Sequence, residues 1–199
     1  MTAAEACRYT RLTRFLHWLM AALVFAALFI GFVMVNSVSD YARLVVVHKT
    51  LGVTIFAAVV IRVINRLTHR APAMPCTVGT LERRLVVVSE VSLYALLLTQ
   101  PLIGWAMLSA GGSPVVVLGS GRLPRIAPFD AHLFSLLRQA HSVVAYALVA
   151  VIAAHVSAIV LHTVTLRDGM LSRMTFALTP AHRAGRPLRV IGGGETEGG

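Results

Sequence analysis

Charge is scarce in this chain, and negative charge scarcest: 13% of the 199 residues are charged, with 8 Asp and Glu against 18 Lys and Arg. An ordinary soluble domain carries about 25% charged residues, so a fully hydrated surface is excluded. With 57% hydrophobic residues and a mean hydropathy of +0.77, the chain reads as a membrane protein. It has two cysteines, Cys7 and Cys76, too few for a disulfide framework. The apolar runs lack period-2 alternation, which excludes a transmembrane barrel, and nothing repeats at solenoid periods. Nucleotide fingerprints, nucleophile–base sets and metal motifs other than histidines are absent, so the chemistry has to come from a cofactor.

What is present is four long apolar runs, Phe15 to Val35, Leu44 to Ile64, Leu85 to Leu108 and Leu136 to Thr165. Backbone groups in lipid must be satisfied within the segment, so each run predicts a helix and the chain an all-α, four-transmembrane-helix bundle. The first run is too long, and lacks the small-residue site, for a cleaved signal peptide. Orientation follows from the basic residues. Arg8, Arg11, Arg14, Arg62, Arg66, Arg70, Arg83, Arg84, Arg167, Arg173, Arg183, Arg186 and Arg189 fall on one side. Arg43, Lys49, Arg122, Arg125 and Arg138 fall on the other. The positive-inside rule then makes both termini cytoplasmic. Topology and anionic lipid account for the net charge of +10, and nucleic acid is not needed as a partner. Cys7 and Cys76 share the cytoplasmic side, where thiols stay reduced.

The links differ in character. NSVSDY (36–41) is a tight polar turn that makes the first two helices antiparallel neighbours, and APAMPCTVGT (71–80) stops any helix before it with two prolines. Residues 110–130 form a longer link with an apolar patch, PVVVLG, of the kind that often carries function. Residues 1–175 read as one transmembrane domain and 176–199, ending GGGETEGG, as a disordered tail.

Histidines stand inside the apolar runs. In QAHSVVAYALVAVIAAHVSAIVLH (139–162), His141, His155 and His162 are spaced by fourteen and seven residues. At about 100° per residue all three share one helix face. His17 lies near the cytoplasmic end of the first helix and His48 near the external end of the second. The antiparallel order puts His141 level with His48, and His155 nearer His17, two levels about 21 Å apart. Paired imidazoles at two depths are what two six-coordinate haem b groups require. Gly52, one turn after His48, and Gly31, fourteen residues after His17, leave room for a porphyrin at the external level. Arg62, fourteen residues after His48, supplies a propionate partner at the cytoplasmic level, and Lys49 and Arg138 adjoin the external one.

A single histidine in a membrane helix is more often a packing or proton-relay residue, but four at matched depths shift the balance to haem. Zinc fits less well, because no third or fourth ligand converges on either pair. His69, His132 and His182 lie in links or tails and are expected to be exposed. Spacing alone leaves His155 and His162 both open as the inner ligand.

RLTRFL followed by His17 and Trp18, His48 opening the second helix, PLIGWAM in the third, His141 and His155 in the fourth, and LRDGMLSRM after it resemble the bacterial cytochrome b561 family, in its di-haem superoxide oxidase-like form. The likeness covers residues 8–174. It implies His17 with His155 on the cytoplasmic haem, His48 with His141 on the external one, and a multi-pass protein of the bacterial inner membrane. It also implies that His162 lies beside the cytoplasmic haem, where ubiquinone binds. One position departs from the family pattern: SEVSLY has Glu90 where that type has a histidine four residues before the tyrosine. A glutamate in an apolar run must be protonated or paired, so Glu90 is either half of an ion pair or a proton-handling group.

The function expected is single-electron transfer from an external donor through two haems to ubiquinone. With superoxide as donor, Arg122, Arg125, Arg138 and Lys49 would steer the anion to the external haem. His162 and Glu90 would handle the quinone's protons. An alternative is a haem b anchor subunit that passes electrons between quinone and a partner protein without catalysis of its own. A haem-free scaffold or channel is a third.

Overall fold

The computed structural model describes residues 9–68, 79–113, 115–117, 121–161 and 163–164. Cys7, Cys76, His69, His162, His182, the LRDGMLSRM stretch and the tail lie outside the described residues.

Four helices, each long and apolar enough to cross a membrane, account for most of them. They are α1 (Arg11–Asn36), α2 (Tyr41–Thr68), α3 (Thr80–Ala110) and α4 (Ala131–Leu161). Each begins upstream of the apolar run that predicts it, and in α1, α3 and α4 a side chain fixes the start. The Thr10 hydroxyl accepts from the Thr13 amide at 3.2 Å to open α1. Glu82 reaches back to the Gly79 amide at 3.0 Å to open α3, and the Asp130 carboxylate takes the Leu133 amide at 2.7 Å to open α4.

The helices form two antiparallel hairpins, α1 along α2 and α3 along α4, with α2 against α3 as the main contact between them. The bundle's outside is its apolar side: Phe29, Phe32 and Tyr146 are among the most exposed residues. That pattern suits a lipid solvent, which demands no polar surface. Inside, Met20, Ala58 and Val59 pack with Val63, Tyr94, Leu97 and Leu98. A second cluster joins Val24, Ile55 and Leu148.

The link between α3 and α4 contains an antiparallel ribbon that periodicity does not signal. β1 (Val116–Val117) pairs with β2 (Gly121–Arg122), Val116 facing Arg122 and Val117 facing Gly121. Gly112, at φ 73°, turns the chain out of α3. The ribbon is tied down by Leu123 donating to the Val115 carbonyl at 3.0 Å and by the Trp105 indole donating to the Pro124 carbonyl at 2.9 Å. Since β1 also touches α2, the link lies across one end of the bundle. This end is called the ribbon end below, and the opposite one the terminal end.

Candidate functional site

The second apolar cluster organises the interior. Val24, Ile55 and Leu148 are each buried, and each stands seven residues from a histidine of its own helix: His17, His48 and, in both directions, His141 and His155. Seven residues are about 10.5 Å of helix, so a closed apolar layer lies midway between two histidine levels.

At the ribbon end, the rings of His48 and His141 face each other from α2 and α4 with centres 6.3 Å apart and planes at 79°. Two imidazoles each about 2 Å from one first-row metal ion have ring centres about 6 Å apart. The pair therefore stands at a spacing that two imidazoles holding one metal ion would also have. Both Nδ1 atoms are buried and make no well-aligned hydrogen bond, although the Ala27 backbone faces the His48 ring and the Gln100 backbone the His141 ring. Among the described residues no three His, Cys, Asp or Glu side chains converge, so a cage of the zinc type is not formed. A planar ligand that takes one imidazole on each face fits this donor set, and haem is such a ligand. A Cβ added at Gly52 would meet nothing within 4 Å, which agrees with open space one turn from His48. Gly31 behaves differently from expectation. Its missing side chain is filled by the His48 ring itself, 3.3 Å from the position a Cβ would take. A matching glycine, Gly104 of α3, stands 3.1 Å from the His141 ring in the same sense.

At the terminal end, His17 of α1 and His155 of α4 both lie within electrostatic reach of Arg62. Arg62 donates from Nε to the Tyr94 hydroxyl at 3.0 Å and from Nη2 to His17 Nδ1 at 3.2 Å, while its buried Nη1 has no partner. A guanidinium only donates, so His17 Nδ1 must be the acceptor here. A neutral imidazole that ligates through Nε2 carries its proton on Nδ1 instead. The Arg62 contact and ligation through Nε2 therefore exclude each other, and Arg62 would have to release His17 for that ring to hold a haem. A carboxylate, such as a haem propionate, is the class of partner that would draw it away.

Glu90 is ion-paired in the structure, which leaves its part in proton handling open to test. Its carboxylate takes Arg66 Nε at 2.8 Å and Nη2 at 3.2 Å, a two-point bond between α2 and α3. Glu90 also lies within electrostatic reach of His155. Arg62 and Arg66 on α2, one turn apart, thus engage Tyr94 and Glu90 on α3, also one turn apart. Deeper toward the terminus, Asn65 donates to the Thr13 hydroxyl at 2.9 Å, a buried polar tie between α1 and α2.

Of the residues singled out from sequence, His48, His141 and Gly52 gather at the ribbon end, and His17, His155, Arg62 and Glu90 at the terminal end. Arg122, Arg125 and Arg138 are exposed at the ribbon end, and Lys49 is half-buried there. His132 is exposed as expected. Sequence reasoning misses Gly104, Gln100, Tyr94 and Arg66. Gly104 sits inside PLIGWAM, but its role depends on a ring from another helix, which no spacing along α3 reports.

Known sequences identify the family. The family described as prokaryotic cytochrome b561 matches residues 8–177. Cytochrome b561 homolog 2 of Escherichia coli K12 is 29% identical over 115 residues, which are 56% of this chain and span 61% of that protein. Cytochrome b561 homolog 1 of the same organism is 24% identical over 170 residues, 84% of this chain and 96% of the relative. With all four membrane helices inside the matched region, the chain belongs to the prokaryotic cytochrome b561 family, multi-pass bacterial membrane proteins that carry haem b and transfer electrons.

Proposed function

We propose that the protein binds two haems b, one at each histidine level, and carries single electrons from a donor outside the bacterial inner membrane to ubiquinone at its cytoplasmic leaflet. The spacing of His48 and His141, 6.3 Å between ring centres on opposed helices, is the observation that supports this most directly. When bound, haem supplies reversible one-electron chemistry. His48 and His141 hold one group at the ribbon end, with Gly52 leaving space beside it; His17 and His155 hold the other, with Arg62 toward its propionates. Val24, Ile55 and Leu148 keep water out of the layer between the two levels.

By the distribution of arginines, the ribbon end is external and both termini are cytoplasmic. There, exposed Arg122, Arg125 and Arg138, with Lys49, attract an anionic donor, superoxide being the smallest candidate. At the terminal end, quinone reduction takes two electrons in succession and two protons. His162 is assigned to hydrogen-bond a quinone carbonyl and protonate it; Glu90, held by Arg66, is the second proton-handling group. Residues 1–175 form the functional domain and 176–199 a tail.

Stopped-flow mixing of the haem-loaded protein with superoxide, with and without ubiquinone, tests this. Rapid haem reduction, followed by reoxidation only when ubiquinone is present, is the expected result. Haem that superoxide leaves oxidised, but a redox partner protein reduces, would move the protein to the anchor-subunit class.

A further inference from the structure

Each hairpin contributes one ring to the ribbon-end pair, and in each the ring lies against a glycine on the other helix of its own hairpin. On the first hairpin, the position a Cβ would occupy at Gly31 of α1 is 3.3 Å from His48 Cε1 and 3.6 Å from its Nδ1. On the second, the corresponding distances from Gly104 of α3 to His141 are 3.1 and 3.5 Å. The same two ring atoms are involved in each case. The backbone group facing each ring also corresponds, being the residue four before the glycine: Ala27 for His48 and Gln100 for His141. On the second hairpin the Gln100 side chain adds a bond of its own, donating to the His141 carbonyl at 3.1 Å.

Glycine in the middle of a membrane helix removes a side chain and lets a neighbour approach the backbone. Here the neighbour is a ligand ring in both hairpins, and the two notches together leave the rings at 79° to one another. The geometry points to Gly31 and Gly104 as positioning residues of the ribbon-end ligand pair: each is the notch that seats one imidazole, and the two notches set the angle between the rings. The orientation of axial rings tunes the electronic structure of a low-spin haem, as other supporting contacts around ligands do. This rests on the assignment of a haem to His48 and His141.

Gly31→Ala and Gly104→Ala, each purified with haem, test the assignment. A Cβ at 3.1 or 3.3 Å obliges the ring to give by a few tenths of an ångström, so both variants should shift the low-spin EPR signal and midpoint potential of the ribbon-end haem, Gly104→Ala more. The terminal-end haem should keep its signal, identified from the spectrum that remains in His48→Ala. A glycine with no packing role predicts the opposite pattern, since alanine favours a helix over glycine: thermal stability unchanged or raised, and both haem signals unmoved. Loss of the ribbon-end haem alone also supports the notch. Unmoved signals in a haem-loaded variant, or loss of both haems together, overturn it. Wild-type protein that purifies without haem would instead sink the haem assignment on which it rests.

Discussion

Leu148→Ala tests the apolar layer between the two histidine levels. Leu148 is 3% exposed and packs with Val24 and Ile55, flanked by Leu93, Leu96, Leu97 and Ile152 among others. In a water-soluble core, leucine truncation costs a transfer term plus a cavity term. Lipid tails are as apolar as leucine, so for a membrane bundle the transfer term drops out and the cavity term remains. Truncation vacates roughly 75 Å³, which at about 24 cal/mol per Å³ gives about 2 kcal/mol, near 25-fold in the folded-to-unfolded ratio. Tyr146, two residues away and 78% exposed, serves as the comparison; Tyr146→Ala faces lipid and should cost under about 0.5 kcal/mol. Unfolding by SDS in mixed micelles, followed by circular dichroism at matched haem occupancy, reads both, the matching being needed because bound haem itself stabilises the fold. Both haem spectra should survive in Leu148→Ala, since no ligand is touched. A Leu148→Ala midpoint no lower than that of Tyr146→Ala would refute the packed layer.

Pyridine haemochrome analysis should give two haems b per chain; His48→Ala or His141→Ala should each remove one and leave the other recognisable, and equal loss from both sites would show that the pairing is wrong. A reporter fused after Gly199 should be active only in the cytoplasm and one inserted at Gly121 only outside, the reverse exchanging the two sites. Glu90→Gln removes the charge opposite Arg66; at side-chain exposures of 36% and 35% the stability loss should stay near 1 kcal/mol or below, while reoxidation by ubiquinone slows. An unchanged reoxidation rate would reduce Glu90 to a structural tie. His162→Ala should keep both haem spectra and slow only reoxidation by ubiquinone, whereas His155→Ala should lose the terminal-end haem; the opposite pattern inverts the ligand assignment.

The four spans and the depths of His17, His48, His141 and His155 are legible in the chain because both depend on local rules. In lipid each backbone donor must be satisfied within its own segment, so length and apolarity suffice to mark a helix, and about 1.5 Å of rise per residue converts spacing into depth. The ribbon at Val116 to Arg122 escapes this logic, being two residues to a strand and held by contacts with Trp105 and α2.

Which side chain faces which across the bundle is another matter. The chain marks Gly31 as a gap in a helix surface and Arg62 as a charge at the inner level, but the rings they meet, His48 in one case and His17 with Tyr94 in the other, are decided between helices. That Arg66 is the partner of Glu90, at 2.8 Å, is likewise not legible along either helix. Helix period fixes the face on which a residue lies, but the rotation and sliding of one helix against its neighbour are set by how all the side chains between them pack. The histidine levels are therefore a property of the chain, whereas the two glycine notches exist only once the helices of each hairpin have packed, and the Arg62–Tyr94 and Arg66–Glu90 bonds only once the two hairpins have met.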